Sequence, residues 1–118
     1  FPTFDDRSST QSPRMVGLIR DEIGFQVLLV TDDLSMEALS GTLGERAARS
    51  IAAGCDLALY CKGVRAEAEA VVAAAGRMHP LALARADAAL ARRQTPDAID
   101  TARLEAELGG LLQGRGHD

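Results

Sequence analysis

The chain has 118 residues, enough for one small domain with a core of limited size. Seventeen acidic residues against thirteen basic ones give a formal net charge of −4, and the basic residues form no patch, which argues against a nucleic-acid partner. No apolar run approaches the roughly 18 residues that a membrane-spanning helix needs, and no signal peptide is indicated, so a membrane partner is not expected either.

The first part of the chain predicts a loop, a helix and a buried strand. Residues 1–11 are polar and rich in turn-forming side chains, which predicts a loop. Ser12-Pro13 indicates a helix start, because serine is a favourable N-cap and proline suits the first helical position. Gly24 is predicted to end that helix. The apolar run over 26–31 then predicts a strand buried on both faces, as in a parallel sheet covered by helices.

The alternation of helix and strand continues through the middle of the chain. A helix is predicted over 43–53 with Gly54 as its C-terminal cap, followed by a strand over 55–61 and a helix over 65–76. The order helix, strand, helix, strand, helix is typical of an α/β fold with a parallel sheet and right-handed crossovers. Because two strands cannot make a closed or well-covered α/β sheet, we expect the chain to be part of a larger protein.

The C-terminal part of the chain has a different character. Alanine- and leucine-rich patterns predict helices over 81–93 and 99–112, and residues 114–118 are predicted to be disordered. Four leucines of the second helix follow helical spacing and form one apolar stripe, which we expect to pack against neighbouring helices. The stripe consists of Leu104, Leu108, Leu111 and Leu112. We therefore divide the chain into a segment over 1–78 and a helical tail over 79–118 with a disordered end.

The two cysteines, Cys55 and Cys61, flank the second predicted strand. At about 3.3 Å per residue their Cα atoms would lie roughly 20 Å apart, beyond the roughly 7 Å limit for a disulfide. We expect reduced thiols that serve as small apolar core residues in a cytosolic compartment. No His or Cys is close enough in sequence to indicate a zinc site, so neither a metal nor another cofactor is predicted.

Three aspartates have different predicted roles. In a barrel of alternating strands and helices, catalytic groups lie at the C-terminal ends of the strands, which makes Asp32 the first catalytic candidate. The alternative for Asp32 is that it simply caps the following turn. Asp33 is predicted to shape the loop through hydrogen bonds to nearby backbone groups. Asp56 begins a strand, where residues of such barrels usually serve stability.

Two motifs in the chain resemble those of a known enzyme family. The first strand begins after Gly24-Phe25 and leads into Thr31-Asp32-Asp33-Leu34-Ser35-Met36. The second begins with Ala53-Gly54-Cys55-Asp56. Both resemble family 3 glycoside hydrolases, particularly the bacterial β-N-acetylhexosaminidases that act in the cytoplasm on cell-wall fragments. Phe1-Pro2-Thr3-Phe4-Asp5 resembles the end of the family's preceding strand, and Thr31 stands where serine is usual, which keeps a hydroxyl.

The resemblance implies a (β/α)8 TIM barrel of about 250 residues, of which this chain would supply roughly the last two βα units and a helical C-terminal tail. It implies retaining hydrolysis of terminal β-linked N-acetylglucosamine, with Asp32 as the nucleophile. The implied partners are an N-acetylglucosamine-containing glycan or muropeptide and the missing N-terminal barrel segments, and the implied location is the cytoplasm. The family's acid/base histidine belongs to an earlier loop whose motifs are absent here. His79 and His117 lie outside the matched motif, so we expect the chain alone to be inactive.

Two other classes of function are compatible with parts of the sequence. Receiver domains also carry an acidic pair after an apolar strand, but they need a further aspartate at the end of a later strand, where this chain has Tyr60-Cys61-Lys62. A non-catalytic interaction protein that has kept segments of a barrel is the second alternative.

Overall fold

Two short parallel strands form a sheet in the described part of the chain. A computed structural model describes residues 5–113, so the expected motif at 1–4 and the expected disorder at 114–118 lie outside the described residues. Strand β1 (Val30–Asp33) pairs in parallel with β2 (Leu57–Leu59), and helix α2 (Leu43–Ala53) connects them. The mixed α/β class predicted from the sequence is thereby confirmed at this coarse level.

The segment before β1 is a broken helix. Helix α1 (Pro13–Gly17) begins after Ser12, whose hydroxyl accepts the N–H of Met15 at 3.0 Å, and it continues as a π-helical turn over Leu18–Glu22. The predicted start at Ser12-Pro13 is therefore confirmed. The prediction of a loop over 1–11 is wrong in one detail, because a 3-10 turn occupies Ser9–Gln11.

Helix α2 has strong signals at both ends, and its predicted bounds are confirmed. Thr42 and Glu45 form a capping box in which each side chain binds the other residue's backbone N–H. At the C-terminal end, Gly54 has φ +109°, and a Cβ there would lie 2.9 Å from Cγ1 of Val16. Only glycine satisfies both the left-handed backbone and this close approach to α1.

Both strands are shorter than predicted, and β1 is more exposed. The sheet spans 30–33 and 57–59 instead of 26–31 and 55–61. One reason is that the carbonyls of Phe25 and Val27 bind the guanidinium of Arg20, at 2.9 and 2.6 Å, instead of a neighbouring strand. The run is not buried on both faces in the described chain: Val27 before β1 and Val30 within it are 45% and 42% exposed, and β1 has a single partner strand there.

The remaining helices follow the sheet in sequence. They are α3 (Arg65–Ala75), α4 (Pro80–Ala91) and α5 (Thr101–Gln113). Helices α2 and α3 cover the larger core cluster of Leu34, Leu39, Ala47 and Val71, and a smaller cluster joins Val16, Ala53 and Cys55. The leucine stripe of α5 is exposed in the described chain, so its expected packing against neighbouring helices is not seen there. No helix within 5–113 is both long enough and apolar enough to cross a membrane.

Asp56 lies at the centre of a buried ionic cluster at the N-terminal end of β2. Its Oδ2 accepts from Arg20 at 2.7 Å, and its Oδ1 accepts from Arg85 of α4 at 2.9 Å. Oδ2 also accepts the N–H of Leu29 at 2.9 Å. Burial opposes ionisation, but the Leu29 N–H and the two arginines outweigh it and hold the pKa of Asp56 below its usual value. This arrangement agrees with the stabilising role predicted for Asp56.

Asp56→Asn should destabilise the chain, because it leaves the buried guanidinium of Arg20 and the half-buried guanidinium of Arg85 without their counter-charge. We expect a loss of about 3 kcal/mol, against near-neutrality for Asp87→Asn on the exposed surface of α4. Since the folded-state pKa of Asp56 is lowered, its contribution is complete above the unfolded pKa of about 3.9 and disappears as pH falls through the folded value. Thermal melts between pH 3 and pH 7 should therefore show a weaker acid dependence in Asp56→Asn. If stability depended on pH equally in Asp56→Asn and Asp87→Asn, the stabilising role of the Asp56 carboxylate would be contradicted.

The isolated chain should self-associate through its exposed sheet. Val30 and Leu59 are 42% and 41% exposed beside unpaired strand edges, which favours pairing between copies. Sedimentation velocity over a concentration range should show oligomers that Val30→Thr with Leu59→Thr reduces and that Leu112→Gln on α5 does not. A monomer with one cooperative thermal transition would contradict the prediction.

Candidate active site

The C-terminal ends of the two strands bring together the residues that the sequence singled out. β1 ends in Asp32 and Asp33, and β2 is followed by Cys61 and Lys62. Asp32 is exposed, and its Oδ1 accepts the N–H of Asp33 at 2.8 Å. The carboxylate predicted to be catalytic therefore stands at the edge of the sheet where barrels of this class place their chemistry.

A β-bulge carries Asp32. Between the paired positions Val30–Leu57 and Asp33–Leu59, β1 advances by three residues while β2 advances by two. The extra residue interrupts the ladder and changes the direction of the side chains around it. Bulges of this kind are common beside active sites, where they redirect one side chain away from the regular alternation. The bulge was not predicted, because it depends on the register between two strands.

Thr31 forms a side-chain hydrogen bond to β2 at the bulge. Its side chain is 4% exposed, and its hydroxyl oxygen accepts the N–H of Leu59 at 2.9 Å. On the other side of the bulge, the N–H of Leu34 donates to the carbonyl of Leu59 at 2.8 Å. A side-chain oxygen thus accepts a hydrogen bond from the backbone of the neighbouring strand, which gives a physical reason for a hydroxyl at position 31.

Asp33 ties the end of β1 to the segment after β2. Its Oδ1 accepts the N–H of Ser35 and the N–H of Cys61, both at 3.1 Å, and its Oδ2 accepts the hydroxyl of Ser35. These hydrogen bonds, led by that from the Ser35 hydroxyl, hold the pKa of Asp33 below its usual value. The predicted role in shaping the loop is confirmed, and the contact with Cys61 adds a link between strands.

The two cysteines have different surroundings. Both are free thiols, and Cys55 is buried in the smaller core cluster as predicted. The expectation that Cys61 is a core residue is wrong, because Cys61 lies exposed after the end of β2. Desolvation and the nearby carboxylates of Asp33 and Asp32 raise the pKa of the Cys61 thiol.

Arg46 of α2 holds the loop that follows β1. Its guanidinium donates to the carbonyls of Leu34 at 2.8 Å, Met36 at 3.1 Å and Gly41 at 2.9 Å. Sequence analysis missed this residue, because an arginine on an amphipathic helix is usually solvated and nothing in its spacing marks a loop contact. A cavity of about 380 Å³ lies beside this loop and includes Ser35 and Lys62 in its lining.

Two larger cavities within residues 5–113, and the one histidine of that range, His79, lie away from this end of the sheet. Two cavities of about 540 and 690 Å³ lie toward the opposite strand ends, between the sheet and α4. His79 lines the first of them and caps α4, where its Nδ1 accepts the N–H of Leu81 at 3.2 Å. His117 lies outside the described residues. Within 5–113, no group of three or more His, Cys, Asp or Glu side chains is arranged to hold a metal ion.

The family assignment follows from comparison of the whole chain with known proteins. Residues 1–95 match the profile described as the glycosyl hydrolase family 3 N terminal domain. The chain belongs to glycosyl hydrolase family 3. The resemblance seen in the sequence motifs is thereby confirmed, and the matched region of this family 3 chain extends through α4 but does not include α5.

Relatives of this family 3 chain are named beta-hexosaminidases. The protein of Vibrio cholerae serotype O1 (strain M66-2) is 32% identical over 97 residues, which cover 80% of this chain and 28% of the relative. That of Histophilus somni (strain 2336) is 41% identical over 66 residues, 53% of this chain and 18% of the relative. That of Neisseria meningitidis serogroup C / serotype 2a is 46% identical over 46 residues, 37% of this chain and 13% of the relative. The chain thus spans little more than a quarter of the length of the Vibrio relative.

Arg46→Met should loosen the loop after β1. The methionine keeps an apolar stem of similar length but cannot donate to the three carbonyls, so opening of the loop should become easier by about tenfold or more. Hydrogen exchange of the Met36 and Leu39 amides, which bind carbonyls inside this loop, measures the effect. Arg65→Met on the exposed face of α3 is the matched control and should leave both amides unchanged. Equal exchange rates in the two variants would refute the role assigned to Arg46.

Proposed function

We propose that this chain is the C-terminal portion of the catalytic (β/α)8 barrel of a retaining β-N-acetylglucosaminidase, with Asp32 as its nucleophile. In this proposal β1 and β2 are the seventh and eighth barrel strands. The substrate is a glycan or muropeptide with a terminal β-linked N-acetylglucosamine, and the enzyme works in the cytoplasm on peptidoglycan fragments. The names of the relatives support the hexosaminidase class.

The observation that carries the proposal is the position of Asp32 in a chain of this family. Its carboxylate is exposed at the C-terminal end of a parallel strand, and the neighbouring side chains are occupied in holding the strand ends together. The carboxylate of Asp33 accepts hydrogen bonds from the backbone N–H groups of Ser35 and Cys61. Of the adjacent acids, Asp32 is therefore the one left accessible to a substrate.

The chemistry requires two steps at this carboxylate. First, an oxygen of Asp32 forms a bond to the anomeric carbon while the glycosidic C–O bond breaks and the leaving oxygen takes a proton from an acid group. Water then attacks the same carbon, gives its proton to that group acting as a base, and releases the Asp32 carboxylate with retention of configuration. The acid/base group has to come from another barrel segment, because His79 lines a cavity at the far end of the sheet.

Three properties of the chain support completion by further barrel segments. Val30 and Leu59 are exposed on a sheet of two strands, where a barrel would cover them. A cavity of about 380 Å³ lies beside the candidate site, and the one histidine among residues 5–113, His79, lines a different cavity. The chain corresponds to 28% of the length of the Vibrio relative, which leaves most of a barrel to be supplied.

A segment exchange tests the proposed function. In the chimera, this chain replaces the matched segment of the Vibrio cholerae beta-hexosaminidase, and hydrolysis of a chromogenic β-N-acetylglucosaminide is measured. We expect activity in the chimera, a loss of roughly 1,000-fold or more with Asp32→Asn, and little activity in the isolated chain. Asp6→Asn, at an exposed position in the N-terminal segment, is the matched control and should leave kcat unchanged.

Labelling of the nucleophile and two outcomes of the activity assay in the same chimera test the assignment of Asp32. A fluorinated N-acetylglucosaminide whose glycosyl-enzyme hydrolyses slowly should add its mass to the peptide that contains Asp32. Activity that survives Asp32→Asn would refute the nucleophile assignment. A folded chimera without activity would favour the alternative of a non-catalytic barrel remnant.

A further inference from the structure

We propose that Thr31 and Asp33 act as a pair of positioning residues that fix the direction of the Asp32 carboxylate by fastening both sides of the β-bulge to β2. The inference rests on the proposed function of Asp32 and adds to it two residues with a defined task. Neither side chain needs to touch the substrate.

The bulge creates the need for such positioning. Between the paired positions Val30–Leu57 and Asp33–Leu59, two residues of β1 stand opposite one residue of β2, so the pairing around Asp32 is irregular. An unrestrained carboxylate would sample several directions, and catalysis requires the attacking atom within a narrow range of the anomeric carbon. A misplacement of about 1 Å can cost roughly 100-fold in rate.

On the N-terminal side of the bulge, the Thr31 side chain is hydrogen-bonded to β2. Thr31 is 4% exposed, and its hydroxyl oxygen accepts the Leu59 N–H at 2.9 Å, which adds a side-chain link to β2 where the register is irregular. A serine can make the same hydrogen bond, whereas an isosteric valine cannot and would leave the Leu59 N–H without its acceptor.

Asp33 fastens the bulge on its C-terminal side. One oxygen binds the N–H groups of Ser35 and Cys61, so a single carboxylate joins the turn after β1 to the end of β2. The backbone N–H of Asp33 in turn donates to Oδ1 of Asp32 at 2.8 Å. The restraint therefore passes from β2 through the Asp33 side chain to its own amide, and from that amide to the reacting carboxylate.

The experiment uses two matched pairs of variants in the chimera described above. Thr31→Val and Asp33→Ala remove the two links, while Thr31→Ser and Asp33→Asn keep an oxygen acceptor at each place. Initial rates give kcat and KM, and active-site titration with the slow fluorinated substrate gives the fraction of competent sites. We expect Thr31→Val and Asp33→Ala to lower kcat per competent site by about 10- to 100-fold with little change in KM. Thr31→Ser and Asp33→Asn should remain within about threefold of the parent.

The outcomes separate this inference from the function on which it depends. If the parent chimera hydrolyses the substrate and Asp32→Asn abolishes the reaction, but Thr31→Val and Asp33→Ala keep full kcat, the positioning role alone is overturned. If activity falls only in proportion to the fraction of competent sites, so that kcat per competent site is unchanged, Thr31 and Asp33 have a purely structural role and the positioning role is overturned as well. If the parent chimera is folded and inactive, both proposals fall. If kcat per competent site falls in Thr31→Val and Asp33→Ala but not in Thr31→Ser and Asp33→Asn, the positioning role of both residues is supported.

Discussion

The buried ion pair between Arg20 and Asp56 is the constraint on which the rest of the structure depends. Arg20 comes from the broken helix before β1, and Asp56 comes from the start of β2, so the pair joins segments 36 positions apart in sequence. Arg85 brings α4 to the same carboxylate. Breaking one partner of such a cluster leaves a buried charge without compensation, which costs far more than the intact pair contributes. The cluster therefore joins the segment before β1, the start of β2 and α4 at a single carboxylate.

The two ends of the small sheet differ in the burial and hydrogen bonding of their charged side chains. At the N-terminal ends of the strands, charged groups are buried and mutually satisfied, and the backbone of the segment before β1 is held by a side chain. At the C-terminal ends, the acidic residues differ in exposure: Asp33 is engaged in cross-strand hydrogen bonds, while Asp32 is open to solvent. Under the proposed function, this contrast would match the general rule for barrels of alternating strands and helices, in which stability and chemistry reside at opposite faces.

Sequence reasoning succeeded where a structural signal is local. The ends of α2 were predicted because a left-handed glycine at position 54 can be recognised from its neighbours alone, and the structure adds its contact with Val16 as a second reason. The strand bounds were wrong because hydrogen-bonded length depends on which segments pair, and the side chain of Arg20 competes for the carbonyls of that region. Asp32 was identifiable as a candidate from its place after an apolar run. The hydrogen bond from Leu59 to Thr31 was not, because it exists only in a register that no linear pattern encodes.

The thiol of Cys61 gives this edge of the sheet a second group that could in principle attack an electrophile. Thiolates, not thiols, are reactive, and the carboxylates beside Cys61 together with its desolvation disfavour the thiolate. Carboxylates beside an exposed thiol therefore disfavour its reactive form, so Cys61 should react more slowly with alkylating agents than an exposed cysteine without acidic neighbours.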